Sequence, residues 1–116
     1  MMKLFEMTSL VSVVPVSNYE KALAWYSKWL GEPDEIPMEG MAEWEITANA
    51  WLQLDASSEL PDKANLVIGV NDVLACRNAL LAAGVDASEI IDYEVVKVCD
   101  VFDPDGNRIS FAQVTA

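Results

Sequence analysis

Nineteen carboxylates and no histidine set the chemistry open to this chain of 116 residues. Without an imidazole there is no Cys–His nucleophile and no histidine metal centre. The two cysteines, Cys76 and Cys99, have no CxxC neighbour and fall in apolar periodic segments, the setting of buried free thiols. Paired carboxylates are what is left. Asp103 and Asp105, in the sequence DPDG, lack the spacing of a calcium loop. Pro104 presets φ and Gly106 takes a position that needs positive φ, so the tetrapeptide reads as a three-residue hairpin loop with a bulge. Asp55 and Asp100 are the second pair. If they converge, they could do acid–base work of the kind found in a metal-free hydrolase or isomerase.

The elements that must position these groups follow from periodicity. Ser9 to Ser17 is short, apolar and rich in Val, which predicts a strand. Asn18 caps a helix whose apolar residues Ala22, Leu23, Trp25, Tyr26, Trp29 and Leu30 recur at helical spacing, and Gly31 with Pro33 ends it. EPDEIPMEG, interrupted by two prolines, offers at most a short edge strand. MAEWEIT and WLQLDA follow as strands joined through Ala48-Asn49-Ala50. A polar linker, Ser57 to Ala64, leads to a strand NLVIGV and a second helix, capped at Asn71 or Asp72 and closed by Gly84. IIDYE, VVKVCDVF and NRISFAQV supply further strands. The two halves, about 8–56 and 64–114, therefore repeat one unit of strand, helix and two or three strands within a single domain. Two copies indicate a duplicated supersecondary unit rather than a solenoid. Placed side by side, with helices outside, the inner sheet faces would curve around a shared cup.

Composition narrows the partners. Hydrophobic residues make up 53% and the mean hydropathy is +0.19, high for a short soluble chain. Some apolar surface is thus expected between subunits, in a homodimer. No apolar run is long enough to span a membrane and the N-terminus has no long apolar signal region, which predicts a cytoplasmic protein. A net charge of −12 argues against nucleic acid and anionic membranes; it is compatible with a cationic small molecule and equally with an acidic surface that keeps the protein soluble.

A duplicated strand–helix–strands unit carrying VSNYEKALAWYSKWLG, WLQL, NLVIGVNDV and VFDPDGNRISF, in that order over most of the chain, resembles the vicinal oxygen chelate superfamily, the glyoxalase/bleomycin resistance/dioxygenase group. The resemblance implies an α+β fold of paired βαβββ modules around a U-shaped cup, in a dimer. It also implies one divalent metal held by residues of the first and last strands of each module. Those positions are Val11, Gln53, Asn65 and Ser110 here. The set has no charge, imidazole or thiolate, so nothing offsets the cost of stripping water from a dication. A protein without metal or other cofactor is expected.

Strand alternation then gives the lining of the cup. Trp51, Gln53 and Asp55 share one face, Asn65, Val67 and Gly69 another, and Arg108, Ser110 and Ala112 a third, while the intervening apolar residues turn to the helices. Across the DPDG hairpin, Asp100 falls opposite Ser110, with Phe102 beside it. The loop after Thr47 leaves two registers open. An even loop puts Trp44 in the cup; an odd one, which apolar consistency favours, puts Glu43 and Glu45 there. An aromatic wall with amides, hydroxyls and carboxylates suits a flat or cationic ligand. The leading expectation is non-catalytic binding of a small organic molecule, in the manner of the drug-sequestering, antibiotic-resistance members of the group. An enzyme of the same fold with an atypical metal or none is the alternative, and a module with a filled cup is a third.

Overall fold

Each half of the chain builds one sheet with one helix laid on it. The computed structural model describes residues 4–57 and 63–115; the middle of the expected linker, 58–62, lies outside the described residues. The first half runs β1 (Leu10–Pro15), α1 (Tyr19–Leu30), β2 (Met41–Thr47) and β3 (Ala50–Asp55). The second runs β4 (Asn65–Gly69), α2 (Val73–Ala82), β5 (Ile91–Asp92), β6 (Val96–Phe102) and β7 (Arg108–Val114). The strand orders are β1-β3-β2 and β4-β7-β6-β5, so β1 and β4 are edges. The α+β architecture expected from the repeat is the one observed.

The caps act as the sequence predicts. The Asn18 side chain accepts from the Lys21 N–H at 3.1 Å, and Asp72, rather than Asn71, accepts from the Ala75 N–H at 3.0 Å. Gly31 ends α1 at φ 75 and Gly84 follows α2 at φ 82, conformations that disfavour any residue with a Cβ. The proline-interrupted loop contributes a single bridge, Glu35 to Glu43. IIDYE forms only a two-residue strand, because Glu94 takes φ 75 and the chain turns there, with the Val95 N–H bonded to the Tyr93 carbonyl at 3.0 Å.

Both sheets bury one face. Val14, Trp44, Leu52 and Leu54 of the first sheet pack with Tyr26 of α1, and Val101, Ile109 and Phe111 of the second join the same core. Trp29 of α1 meets Phe111 edge-on at 5.4 Å between centroids, so the first helix also packs on the second sheet. The opposite faces, holding the odd-numbered residues of β1, β3 and β4, carry no helix among the described residues.

The final hairpin ties the halves together. Asp103, 5% exposed, and Asn107, 1% exposed, face each other across the turn. The Asp103 carboxylate accepts from the Asp105 and Asn107 N–H groups at 2.9 Å each, from the Asn107 side chain at 2.8 Å and from the Tyr26 hydroxyl at 2.8 Å. The Asn107 side chain also donates to the Pro15 carbonyl at 2.8 Å and accepts from the Ala64 N–H at 2.6 Å. Asp105 accepts from the backbone N–H and hydroxyl of Ser17. Burial first, and then the Asp103 charge, raise the Tyr26 hydroxyl far above its ordinary value of 10.0, so it stays a proton donor.

Candidate functional site

The pairing registers arrange the open face of the first sheet in rows. Val11, Trp51 and Glu45 form one row across β1, β3 and β2, and Val13, Gln53 and Glu43 form the next. Trp51 and Gln53 are half-buried and Glu45 is exposed. The Gln53 amide donates to the Glu43 carboxylate, and Glu45 accepts from the Asn49 N–H at 3.0 Å. The loop register left open by the sequence is settled here. Pairing shifts between Glu45 and Thr47, a β-bulge, and Asn49 turns the chain at φ 63.

Trp44 is therefore not a residue of the open face. It pairs with Leu52, is 2% exposed, lies 6.0 Å from Tyr26 and donates its indole N–H to the Gly31 carbonyl at 3.0 Å. Its place in a ligand wall is corrected to a place in the core, because the bulge keeps an apolar ring with the other apolar residues. Glu43 and Glu45 stand on the open face instead.

On the second sheet, Asn65, Arg108 and Phe102 form one row and Val67, Ser110 and Asp100 another. The Ser110 hydroxyl donates to the Asp100 carboxylate at 2.6 Å. Phe102 is exposed and pairs with Arg108, which places a cation on that row. Asp55 is nearly buried and accepts from the Ser57 N–H at 2.8 Å, beside Met38, Gly40 and Met41. Asp55 and Asp100 thus serve separate sheets with separate partners, and acid–base pairing between them gains no support. Of the candidate residues, Trp51 and Asn65 come together around a cavity of about 560 Å³ between the sheets. Gln53, Asp100, Phe102, Ser110 and Asp55 do not line it.

The donor set expected for a metal does not fit one. Val11 offers no side-chain ligand atom, and Gln53, Asn65 and Ser110 offer only neutral oxygens, with the Gln53 N–H and Ser110 O–H donating to the Glu43 and Asp100 carboxylates. Among the described residues, no group of three or more His, Cys, Asp or Glu side chains is placed to hold a metal ion. The thiols offer no nucleophile either: burial raises both Cys76 and Cys99, the reverse of what a reactive thiolate needs. No helix among the described residues is long and apolar enough to cross a membrane.

No family model matches the chain, and no curated protein does. Solved structures do. A glyoxalase/bleomycin resistance protein from Catenulispora acidiphila DSM 44928 is 31% identical over 94% of this chain and 100% of that one, with a TM-score of 0.85. A glyoxalase/bleomycin resistance protein from Streptomyces sp. CB03234 is 26% identical, covering 90% of this chain and 99% of that one at a TM-score of 0.72. TnmS3, an antibiotic binding protein from the same Streptomyces strain, is 24% identical over 98% of this chain and 100% of that one, with a TM-score of 0.77.

Proposed function

The chain belongs to the glyoxalase/bleomycin resistance protein family, and from that premise we propose that it binds a small, flat, cationic organic molecule without transforming it, as a homodimer and without a metal. The observation that carries this reading is the row Val11–Trp51–Glu45 with Glu43 alongside. An indole face attracts cations and stacks on aromatic rings, and the neighbouring carboxylates add charge. The net charge of −12 draws a cation from any direction. TnmS3, an antibiotic binding protein, supports this use of the fold. The dimer is supported by apolar residues on the open faces, among them Val67, 74% exposed, and Phe102, 57% exposed, which a second copy would cover.

Stacking and one partly desolvated charge pair together give roughly micromolar to millimolar affinity. A planar cationic aromatic should quench tryptophan fluorescence, more strongly than its neutral or anionic analogue, and salt should weaken it. Trp51→Ala should abolish the quenching and Glu45→Gln should reduce the preference for cations. Anions bound preferentially, or affinity unchanged by Trp51→Ala, would refute the reading. Elemental analysis should find no stoichiometric transition metal; about one per chain would overturn the metal-free part.

A further inference from the structure

A second cavity, of about 370 Å³, lies where the edges of β1 and β4 face each other. It shares Ser12, Asn65 and Leu66 with the cavity that Trp51 lines, so the two adjoin along one seam. The edges run in opposite directions there. Asn107 holds the Pro15 carbonyl and the Ala64 N–H together, while Leu10 lines the larger cavity with Gly69 and Val70. In β1 the N–H groups of Leu10 and Val16 donate to Asn49 and Asp55 on the β3 side. In β4 the Ala64 carbonyl accepts from Arg108 and the Val70 N–H donates to Ala112, on the β7 side. Even-numbered residues thus use their backbone groups within each sheet, and those of Val13 and Asn65 turn into the seam. Among the described residues, β1 pairs only with β3 and β4 only with β7, so these N–H groups have no strand partner.

A bare sheet edge offers carbonyls as well as N–H groups, and the charge beside it decides which a ligand uses. Here that charge is positive. Lys63 lines the smaller cavity, and Arg108 pairs with Asn65 on the open face. Among the described residues, neither side chain has a hydrogen-bond or ion-pair partner. No carboxylate among them lines this cavity, in a chain with 19 carboxylates and only seven Lys and Arg. One carbonyl of the seam, that of Pro15, is already taken by the Asn107 amide. Two free N–H groups flanked by an ammonium and a guanidinium are the donors an oxyanion needs. The net charge of −12 repels a dianion more than a monoanion, which favours a carboxylate over a phosphate.

We propose that the seam between β1 and β4 binds a carboxylate, so that the ligand is a flat aromatic zwitterion with its cationic ring on Trp51 and its carboxylate on the Val13 and Asn65 N–H groups, between Lys63 and Arg108. This rests on the cation reading of the Trp51 row and names the class of ligand. Trp51 stands level with Val11, and the two residues of extended strand from Val11 to Val13 span about 7 Å. The ligand carries its two charges at about that separation.

The test uses the full-length protein and three probes titrated by calorimetry: N-methylquinolinium, N-(carboxypentyl)quinolinium and the carboxamide of the second. The acid and the amide share ring, cation and chain. The acid should bind about tenfold tighter than the amide, the size of one charge-assisted hydrogen bond. In Lys63→Met/Arg108→Gln that ratio should fall to within about twofold. In nitrogen–proton correlation spectra the acid, and not the amide, should shift the backbone N–H signals of Val13 and Asn65. Equal binding of acid and amide by the wild type overturns the carboxylate site and leaves the cation reading intact. A ratio unchanged by the double substitution, or signals shifted only elsewhere, also overturns it. An acid bound equally well by Trp51→Ala overturns the cation reading, and the zwitterion with it. No binding of any probe overturns both.

Discussion

Asp100 and Asp103 stand three residues apart on one hairpin and serve opposite purposes. Asp103 is enclosed by hydrogen bonds from Tyr26, Asp105 and Asn107, and its neighbour Asn107 reaches Pro15 and Ala64. Asp100 faces the open side of the sheet with Ser110 as its side-chain partner. The DPDG motif, the most legible feature of the sequence, is thus a fastening between the two halves. The face available to a ligand is made of residues with no motif at all. A buried carboxylate is held by what it accepts; a face carboxylate keeps capacity for something else.

Stability measurements should separate the two. Asp103→Ala leaves two N–H groups, an amide and a phenol without their acceptor, and should cost about 3 kcal/mol or more in denaturant unfolding. A loss under about 1 kcal/mol would show that water replaces the carboxylate and that the fastening is loose. Gly106→Ala should cost about 1–2 kcal/mol. Its φ is 85, and an added Cβ would stand 3.1 Å from the Lys63 ammonium nitrogen.

Tyr26→Phe should cost about 1–2 kcal/mol at neutral pH and should change the alkaline limb. The folded hydroxyl titrates above the unfolded one, so below pH 10.0 its contribution is complete. Above that the unfolded state releases a proton the folded state retains, and stability falls as pH rises. The wild type should therefore lose stability above pH 10.0 more steeply than Tyr26→Phe; parallel curves would remove the Tyr26–Asp103 bond from the account. Asp100→Asn should have the smallest effect on the fold, within about 0.5 kcal/mol, since an amide oxygen still accepts from Ser110. A cost comparable to that of Asp103→Ala would erase the distinction between the two carboxylates.

Local rules were enough for much of this. Asn18 and Asp72 as caps, Gly31 and Gly84 as stops and the pairing of Asp100 with Ser110 all depend on residues close in sequence or across a tight turn. The covered faces were legible where apolar residues alternate with polar ones, as in β2, β3 and β7; β1 and β6 carry apolar residues on both faces. For Trp44 the loop left two registers open, because a bulge between Glu45 and Thr47 breaks the parity counted from the turn, and only apolar consistency favoured the covered side it takes. The short β5 was hidden for a similar reason: a positive φ at Glu94 is written in no glycine. The relation between the sheets was beyond reach, since it depends on how α1 spans from Trp44 to Phe111. That relation decides which candidates meet at the cavity.

The seam closed by Asn107 bears on the order of events during synthesis. Its bonds to the first half join residues 77 to 92 positions apart, and the last of them cannot form until the chain has been made as far as Asn107. The first half therefore emerges with the Tyr26 hydroxyl and the Pro15 carbonyl still lacking their partners Asp103 and Asn107. Long-range closure of this kind slows folding, and the waiting half has its apolar side open to neighbours on the same polysome.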